Sequence, residues 1–134
     1  MSNDAPAIDF EKPMIDFEKM DGLVPGIVQD AATGQVLMLG FLNEASYAKS
    51  LESGFVTFWS RTRQKLWMKG ETSGNRLRVI SASTDCDNDT LLFRVEVEGD
   101  GLVCHEGTVS CFTKPIVGDP SNAASTSEKE ASRG

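Results

Sequence analysis

The chain of 134 residues carries 40% hydrophobic and 25% charged residues, an ordinary globular composition for one domain. Its formal net charge of -7 and pI near 4.6 argue against nonspecific nucleic-acid or membrane-surface binding, both of which depend on basic surface. No apolar run approaches the roughly 20 residues of a membrane-spanning helix, and no basic-then-apolar signal opens the chain, so a cytoplasmic protein is expected.

Residues 1–20 read as a polar leader with an internal echo, Ile8-Asp-Phe-Glu-Lys12 and Ile15-Asp-Phe-Glu-Lys19. Two short copies cannot build a stacked repeat array, so the echo is read as a local duplication. The working domain is expected over residues 21–116. Within it, residues 24–30 and 35–42 are β-like runs joined by Ala31-Ala-Thr-Gly34, which predicts a hairpin. Asn43 as N-cap and Gly54 as a C-terminal stop bracket a helix over residues 44–53, with Ala45, Ala48 and Leu51 spaced to share its buried face. Strand patterns return at residues 55–60, 66–69, 76–84 and 90–98. The last alternates Phe93, Val95 and Val97 against Arg94, Glu96 and Glu98. Residues 117–134, rich in Ser, Ala, Gly and charge, read as a disordered tail. The predicted fold is mostly β (α+β) with one principal helix.

The chemistry-bearing residues fall in three groups. Asp85, Asp87 and Asp89 lie at i, i+2 and i+4, so an extended segment projects their carboxylates to one side and Cys86 to the other. Such a trio either binds a hard cation or forms a solvated acidic turn, and spacing leaves both open. An EF-hand is disfavoured because Thr90 stands where that loop needs Gly and the flanks are strand-like. Cys86, Cys104 and Cys111 would suit Zn²⁺ with a fourth position left for water, although their spacing equally fits buried free thiols. His105, the single histidine, follows Cys104 directly and is a candidate metal ligand or general acid/base. The third group, residues 58–76, gathers both tryptophans with Arg61, Arg63, Lys65, Lys69 and Arg76. It is a candidate anion site, in which Arg61 and Arg63 share a face if extended and Gly70 to Gly74 form a loop. An exposed cationic strand and turn is the alternative.

Taken together these residues resemble the phosphoribosyl-AMP cyclohydrolase family of histidine biosynthesis, in its monofunctional form. The resemblance is carried by Gly22-Leu-Val-Pro25, Gln29-Asp30, Val36-Leu-Met-Leu39 with Asn43, and Trp59-Ser-Arg-Thr-Arg63. It continues through Leu66-Trp67-x-Lys69-Gly-Glu-Thr-Ser-Gly-Asn75, Asp85-Cys-Asp-x-Asp89 and Cys104-His-Glu-Gly-Thr-Val-Ser-Cys-Phe112. What it implies is a small twisted-sheet or barrel-like domain in an intertwined homodimer, with Mg²⁺ on Asp85, Asp87 and Asp89. Zn²⁺ is implied on Cys86, Cys104 and Cys111, shared across the two chains. The implied reaction opens the adenine ring of phosphoribosyl-AMP by hydrolysis of its N1–C6 bond, with His105 catalytic. Trp59, Ser60, Arg61, Arg63, Trp67, Lys69, Glu71, Ser73 and Asn75 are the implied substrate-binding residues. Met68 stands where many relatives have histidine, and Gly40-Phe41-Leu42 replaces a common small-Trp-Met; no phosphoribosyl-ATP pyrophosphatase domain is expected in residues 113–134. The rival from another class is a noncatalytic zinc-stapled interaction module, which explains the cysteines but neither the aspartates nor residues 59–75.

Overall fold

The computed structural model describes residues 13–119. The first copy of the duplicated pentapeptide and residues 120–134 of the expected tail lie outside the described residues. Among the described residues six strands and one helix follow in chain order: β1 (Val24–Asp30), β2 (Val36–Leu42), α1 (Glu44–Ser53), β3 (Thr57–Ser60), β4 (Lys65–Met68), β5 (Leu77–Thr84) and β6 (Leu91–Val97). The main sheet runs β2-β1-β6-β5, with β1 and β6 parallel and the other pairs antiparallel; β3 and β4 form a separate two-stranded sheet. The mostly β, one-helix architecture is therefore as expected. The sheet is open and mixed, with β2 and β5 at its edges, and does not close into a barrel.

The β1–β2 hairpin forms as predicted, turning through Asp30, whose carboxylate accepts from the Ala32 and Thr33 amides. Alternation along β6 also holds, with Leu91, Phe93 and Val95 buried and Arg94 and Glu96 exposed. These side chains join Val24 and Val28 of β1, Leu37, Met38 and Leu42 of β2, Val56, Phe58, Leu77 and Val103 in one core. Gly26 and Gly40 face each other across β1 and β2. The sheet is thinned there, and a Cβ at Gly40 would lie 2.6 Å from two Phe58 ring carbons. The missing side chain makes the seat for Phe58, which carries β3 and β4 onto the main sheet.

Helix α1 begins and ends where its caps require. Asn43 Oδ1 accepts from the Ser46 amide at 2.9 Å while Ser46 Oγ accepts from the Asn43 amide at 3.0 Å, and Gly54 closes the last turn at φ 84°. Its buried face differs from the expected one. Ala45, Ala48 and Leu51 are exposed, Leu51 by 39%, whereas Ser46 and Ser50 are buried. The cause is a buried β3 amide that needs an acceptor: the Thr57 N–H donates to Ser50 Oγ at 2.8 Å. Serine satisfies that amide and lets the helix approach closely, which an apolar side chain could not do. Ile15 and Phe17, from the second pentapeptide copy, pack against the core, Phe17 at 5.8 Å from the Tyr47 ring. Among the described residues no helix is long and apolar enough to cross a membrane.

Candidate active site

A cleft of about 370 Å³ opens between the β4–β5 loop and the segment after β6. Trp67, Lys69, Glu71 and Ser73 line one wall; Val103, Cys104 and His105 line the other. The first wall turns at Gly70 and Gly74, as the sequence suggested, with the Gly74 amide donating to the Gly70 carbonyl at 2.8 Å. Trp67 lies against the buried Phe58 ring at 5.7 Å between centroids, and the Lys69 ammonium sits 5.4 Å from the Trp67 ring. A flat aromatic face and a cation are thus side by side at the cleft rim.

The second wall is a tight loop fastened to the edge of β2. The Gly107 amide donates to the Cys104 carbonyl, the Cys111 amide to the Leu37 carbonyl at 2.8 Å, and Ser110 Oγ to the Val36 carbonyl at 2.8 Å. This folding brings Cys104 and Cys111 close enough that each thiol shifts the other's pKa. A backbone hydrogen bond at Glu106 holds the Cys104 thiol below its ordinary pKa, with further help from the Thr108 hydroxyl and Cys111. Cys111 is pushed up, first because protein atoms displace water from its sulfur and then by its neighbour Cys104. His105 is exposed on the cleft side of the same loop.

Asn75 lies at the base of the cleft, 9% exposed, with its amide engaged within the protein. Nδ2 donates to Asp100 Oδ1 at 2.7 Å and to the Leu102 carbonyl at 2.9 Å, and Oδ1 accepts from the Asp100 amide at 3.1 Å. Asp100 was not singled out by the sequence, where Gly99-Asp-Gly101 reads only as a turn. The other basic residues sit elsewhere: Arg61 and Arg63 lie in the β3–β4 turn, not on a shared extended face. Ser60 Oγ accepts from the Arg63 amide at 3.2 Å, and the Arg61 guanidinium covers the Phe41 ring at 4.6 Å. Four residues between paired strands must reverse direction, and Gln64 does so at φ 54°. Trp59, Ser60, Arg61 and Arg63 are therefore outside the cleft lining.

Asp85, Asp87 and Asp89 are brought together, but by a turn. Residues 85–90 connect β5 to β6, and Asp85 Oδ1 accepts from the Asp89 and Thr90 amides at 3.1 and 3.2 Å while Asn88 takes φ 64°. The alternation expected of an extended segment is replaced by convergence around that turn. Ligand oxygens of the three lie within 4.8 Å of one another, and among the described residues no other set of three His, Cys, Asp or Glu does so. The Lys19 ammonium bridges Asp87 Oδ2 and Asp89 Oδ2, each at 3.3 Å. Its pKa is raised, chiefly by the hydrogen bond to Asp89. Lysine was not predicted here; Lys19 of the duplicated pentapeptide carried no local signal for a partner in residues 87–89.

The phosphoribosyl-AMP cyclohydrolase family model matches residues 38–113. The phosphoribosyl-AMP cyclohydrolase of Solibacter usitatus (strain Ellin6076) is 57% identical over 102 residues, covering 76% of this chain and 80% of that protein. The chain belongs to the phosphoribosyl-AMP cyclohydrolase family. A second relative of that name, from Desulfatibacillum aliphaticivorans, is 55% identical over 105 residues, covering 78% of this chain and 83% of its own. The histidine biosynthesis bifunctional protein HisIE of Escherichia coli (strain K12) is 60% identical over 98 residues, which span 73% of this chain but 47% of that longer protein. The match at residues 38–113 takes in both cleft walls, the aspartate turn and all three cysteines, and begins well after Lys19.

The donor chemistry fits two kinds of metal. Three convergent carboxylates suit a hard divalent cation, and the Lys19 ammonium already bridges two of them, Asp87 and Asp89, as a stand-in cation. Cys104 and Cys111 together supply two thiolates, the donors a softer ion such as zinc prefers. Cys86, exposed in the aspartate turn, does not complete a three-ligand set with them within one chain.

Proposed function

We propose that this chain hydrolyses the N1–C6 bond of 1-(5-phosphoribosyl)-AMP in histidine biosynthesis. The observation that carries the reading is the cleft itself, which sets His105 and Cys104 across from Trp67 and Lys69, inside the family match. Water adds at C6: its oxygen becomes the carboxamide oxygen, one of its protons goes to the exocyclic nitrogen, which becomes the carboxamide NH2, and the other goes to N1 as the N1–C6 bond breaks. The Trp67 face packs against the base or ribose. Lys69 binds phosphate oxygens from the cleft wall, where Glu71 and Ser73 add contacts, while Arg61, Arg63, Trp59 and Ser60, outside this cleft lining, would reach the substrate from the end of β3 and the β3–β4 turn. His105, exposed on the facing wall, delivers the proton to N1.

Cys104 and Cys111, with Cys86, would hold zinc, and Asp85, Asp87 and Asp89 would hold magnesium. When bound, zinc supplies Lewis-acid activation of water toward a pKa near about 7, and magnesium supplies positive charge beside the substrate phosphates. The isolation of Cys86 from the other two thiols supports a homodimer in which the zinc thiolates come from both chains. The catalytic unit is residues 21–116, between a leader and a tail, and unpaired thiols of this kind suit the reducing cytoplasm.

The test is to supply phosphoribosyl-AMP to the purified, metal-analysed protein and follow ultraviolet absorbance as the purine ring opens. Turnover that depends on His105 is expected. Absence of turnover with zinc and magnesium both present would overturn the assignment.

A further inference from the structure

We propose that Asp100 is a positioning residue for this site: with Asn75 it forms a clamp that fixes the distance between the two walls of the cleft. The inference rests on the cyclohydrolase reading for its kinetic consequence, though the clamp itself stands on geometry alone. Asn75 ends the Gly70–Gly74 loop of one wall, and its side-chain hydrogen bonds reach the segment that begins the other. Asp100 Oδ1 accepts a further hydrogen bond from the Leu102 amide at 3.2 Å. Leu102 is therefore held at both its N–H and its C=O, two residues before Cys104 and three before His105. Val103 between them is buried in the core, so a shift at Leu102 is carried into the thiol loop.

Gly99 records how close the walls are drawn at this point, and Gly70 how tightly the first wall folds onto Asn75. A Cβ at Gly99 would lie 1.9 Å from Asn75 Oδ1, and one at Gly70 would lie 2.1 Å from the Asn75 carbonyl oxygen. Both chains of atoms close directly on Asn75, leaving no room for a longer side chain or an inserted water. Only a primary amide offers donors to Asp100 and Leu102 together with an acceptor for the Asp100 amide. A carboxylate in its place would face the Asp100 carboxylate and the Leu102 carbonyl oxygen. Asp100 itself is exposed, so removal of its side chain leaves the core intact.

The experiment compares the full-length, metal-loaded protein with Asp100→Ala and Asp100→Asn. Asn keeps an oxygen that accepts from Asn75 Nδ2 and from the Leu102 amide, whereas Ala keeps neither. Asp100→Ala is expected to lower kcat roughly 10- to 100-fold, as displacement of a reacting group by about an ångström does, with KM changed by less than about 3-fold. Asp100→Asn is expected to restore kcat to within about 3-fold of the parent. In hydrogen exchange the Leu102 and Cys104 amides are expected to exchange faster in Asp100→Ala and at the parent rate in Asp100→Asn, while amides of β1 and β6 stay unchanged. Equal kcat in all three proteins overturns the proposal, as does failure of Asn to rescue. If the parent protein shows no turnover, the cyclohydrolase reading fails and hydrogen exchange alone decides the clamp. Unchanged exchange at Leu102 in Asp100→Ala then refutes it.

Discussion

Gly40→Ala tests how the core supports the cleft. A methyl carbon added to Gly40 would meet Phe58 Cδ1 and Cε1 at 2.6 Å, about 1 Å inside ordinary carbon–carbon contact. Phe58 is 1% exposed and backs onto the Trp67 ring, so it has no free volume into which to retreat. Overpacking of this kind costs about 1–3 kcal/mol, of which about 0.4–1 kcal/mol is offset by the lower chain entropy of Ala in the unfolded state. The net loss is about 0.5–2 kcal/mol. An unfolding entropy of about 2.1 cal/mol/K per residue, over 134 residues, converts this into a melting temperature lower by roughly 2–7 °C. Thermal unfolding followed by circular dichroism measures the shift, and tryptophan fluorescence reports whether Trp67 has moved. Combination with Phe58→Leu should be less than additive, because the two sites share the contact. A Gly40→Ala protein that melts above the parent would show that entropy governs the site and would refute the packing argument.

The metal assignments predict that Cys104→Ser loses zinc and activity together, whereas Asp87→Asn retains zinc and loses magnesium-dependent rate; metal analysis beside the absorbance assay separates the two. Lys19→Ala should raise the affinity of the aspartate turn for a divalent cation in a calorimetric titration, because it removes an ammonium that competes for Asp87 and Asp89. Since the Lys19 pKa is raised from 10.5, that competition should not vary through the neutral pH range; equal affinities in the two proteins would remove Lys19 from the account. Burial raises the Tyr47 phenol above its unfolded value of 10.0. Above about pH 10 the unfolded chain releases this proton first, so stability present below that pH falls as pH rises through the folded value. Tyr47→Phe should flatten this part of the alkaline slope in urea unfolding at about pH 9 and about pH 11, and an unchanged slope would contradict it.

The sequence makes local structure legible where the signal is itself local. Asn43, Ser46 and Gly54 place α1 to the residue, because caps are short-range hydrogen bonds. The face that α1 buries was not legible, since it is set by the amide of Thr57 on another element. The aspartate cluster was found by spacing, yet its geometry was misread as extended because two Asp85 hydrogen bonds turn the chain. The shared extended face of Arg61 and Arg63 was misread for the same reason, the turn closed by Ser60 and Gln64. Trp67 and Lys69 on one side, Cys104 and His105 on the other, were singled out in separate groups that only the family resemblance joined, and the structure brings them to one place. Asp100 escaped notice because its partner is 25 residues away in the chain.

The placement of Cys86 apart from Cys104 and Cys111 has a consequence for how the protein behaves on dilution. On the proposed reading, in which Cys86 joins the other two thiols from a second chain, full ligation would depend on the association of two chains. Zinc retention then follows protein concentration, and a sample taken from micromolar to nanomolar should shed the ion to a chelator that leaves the concentrated stock loaded.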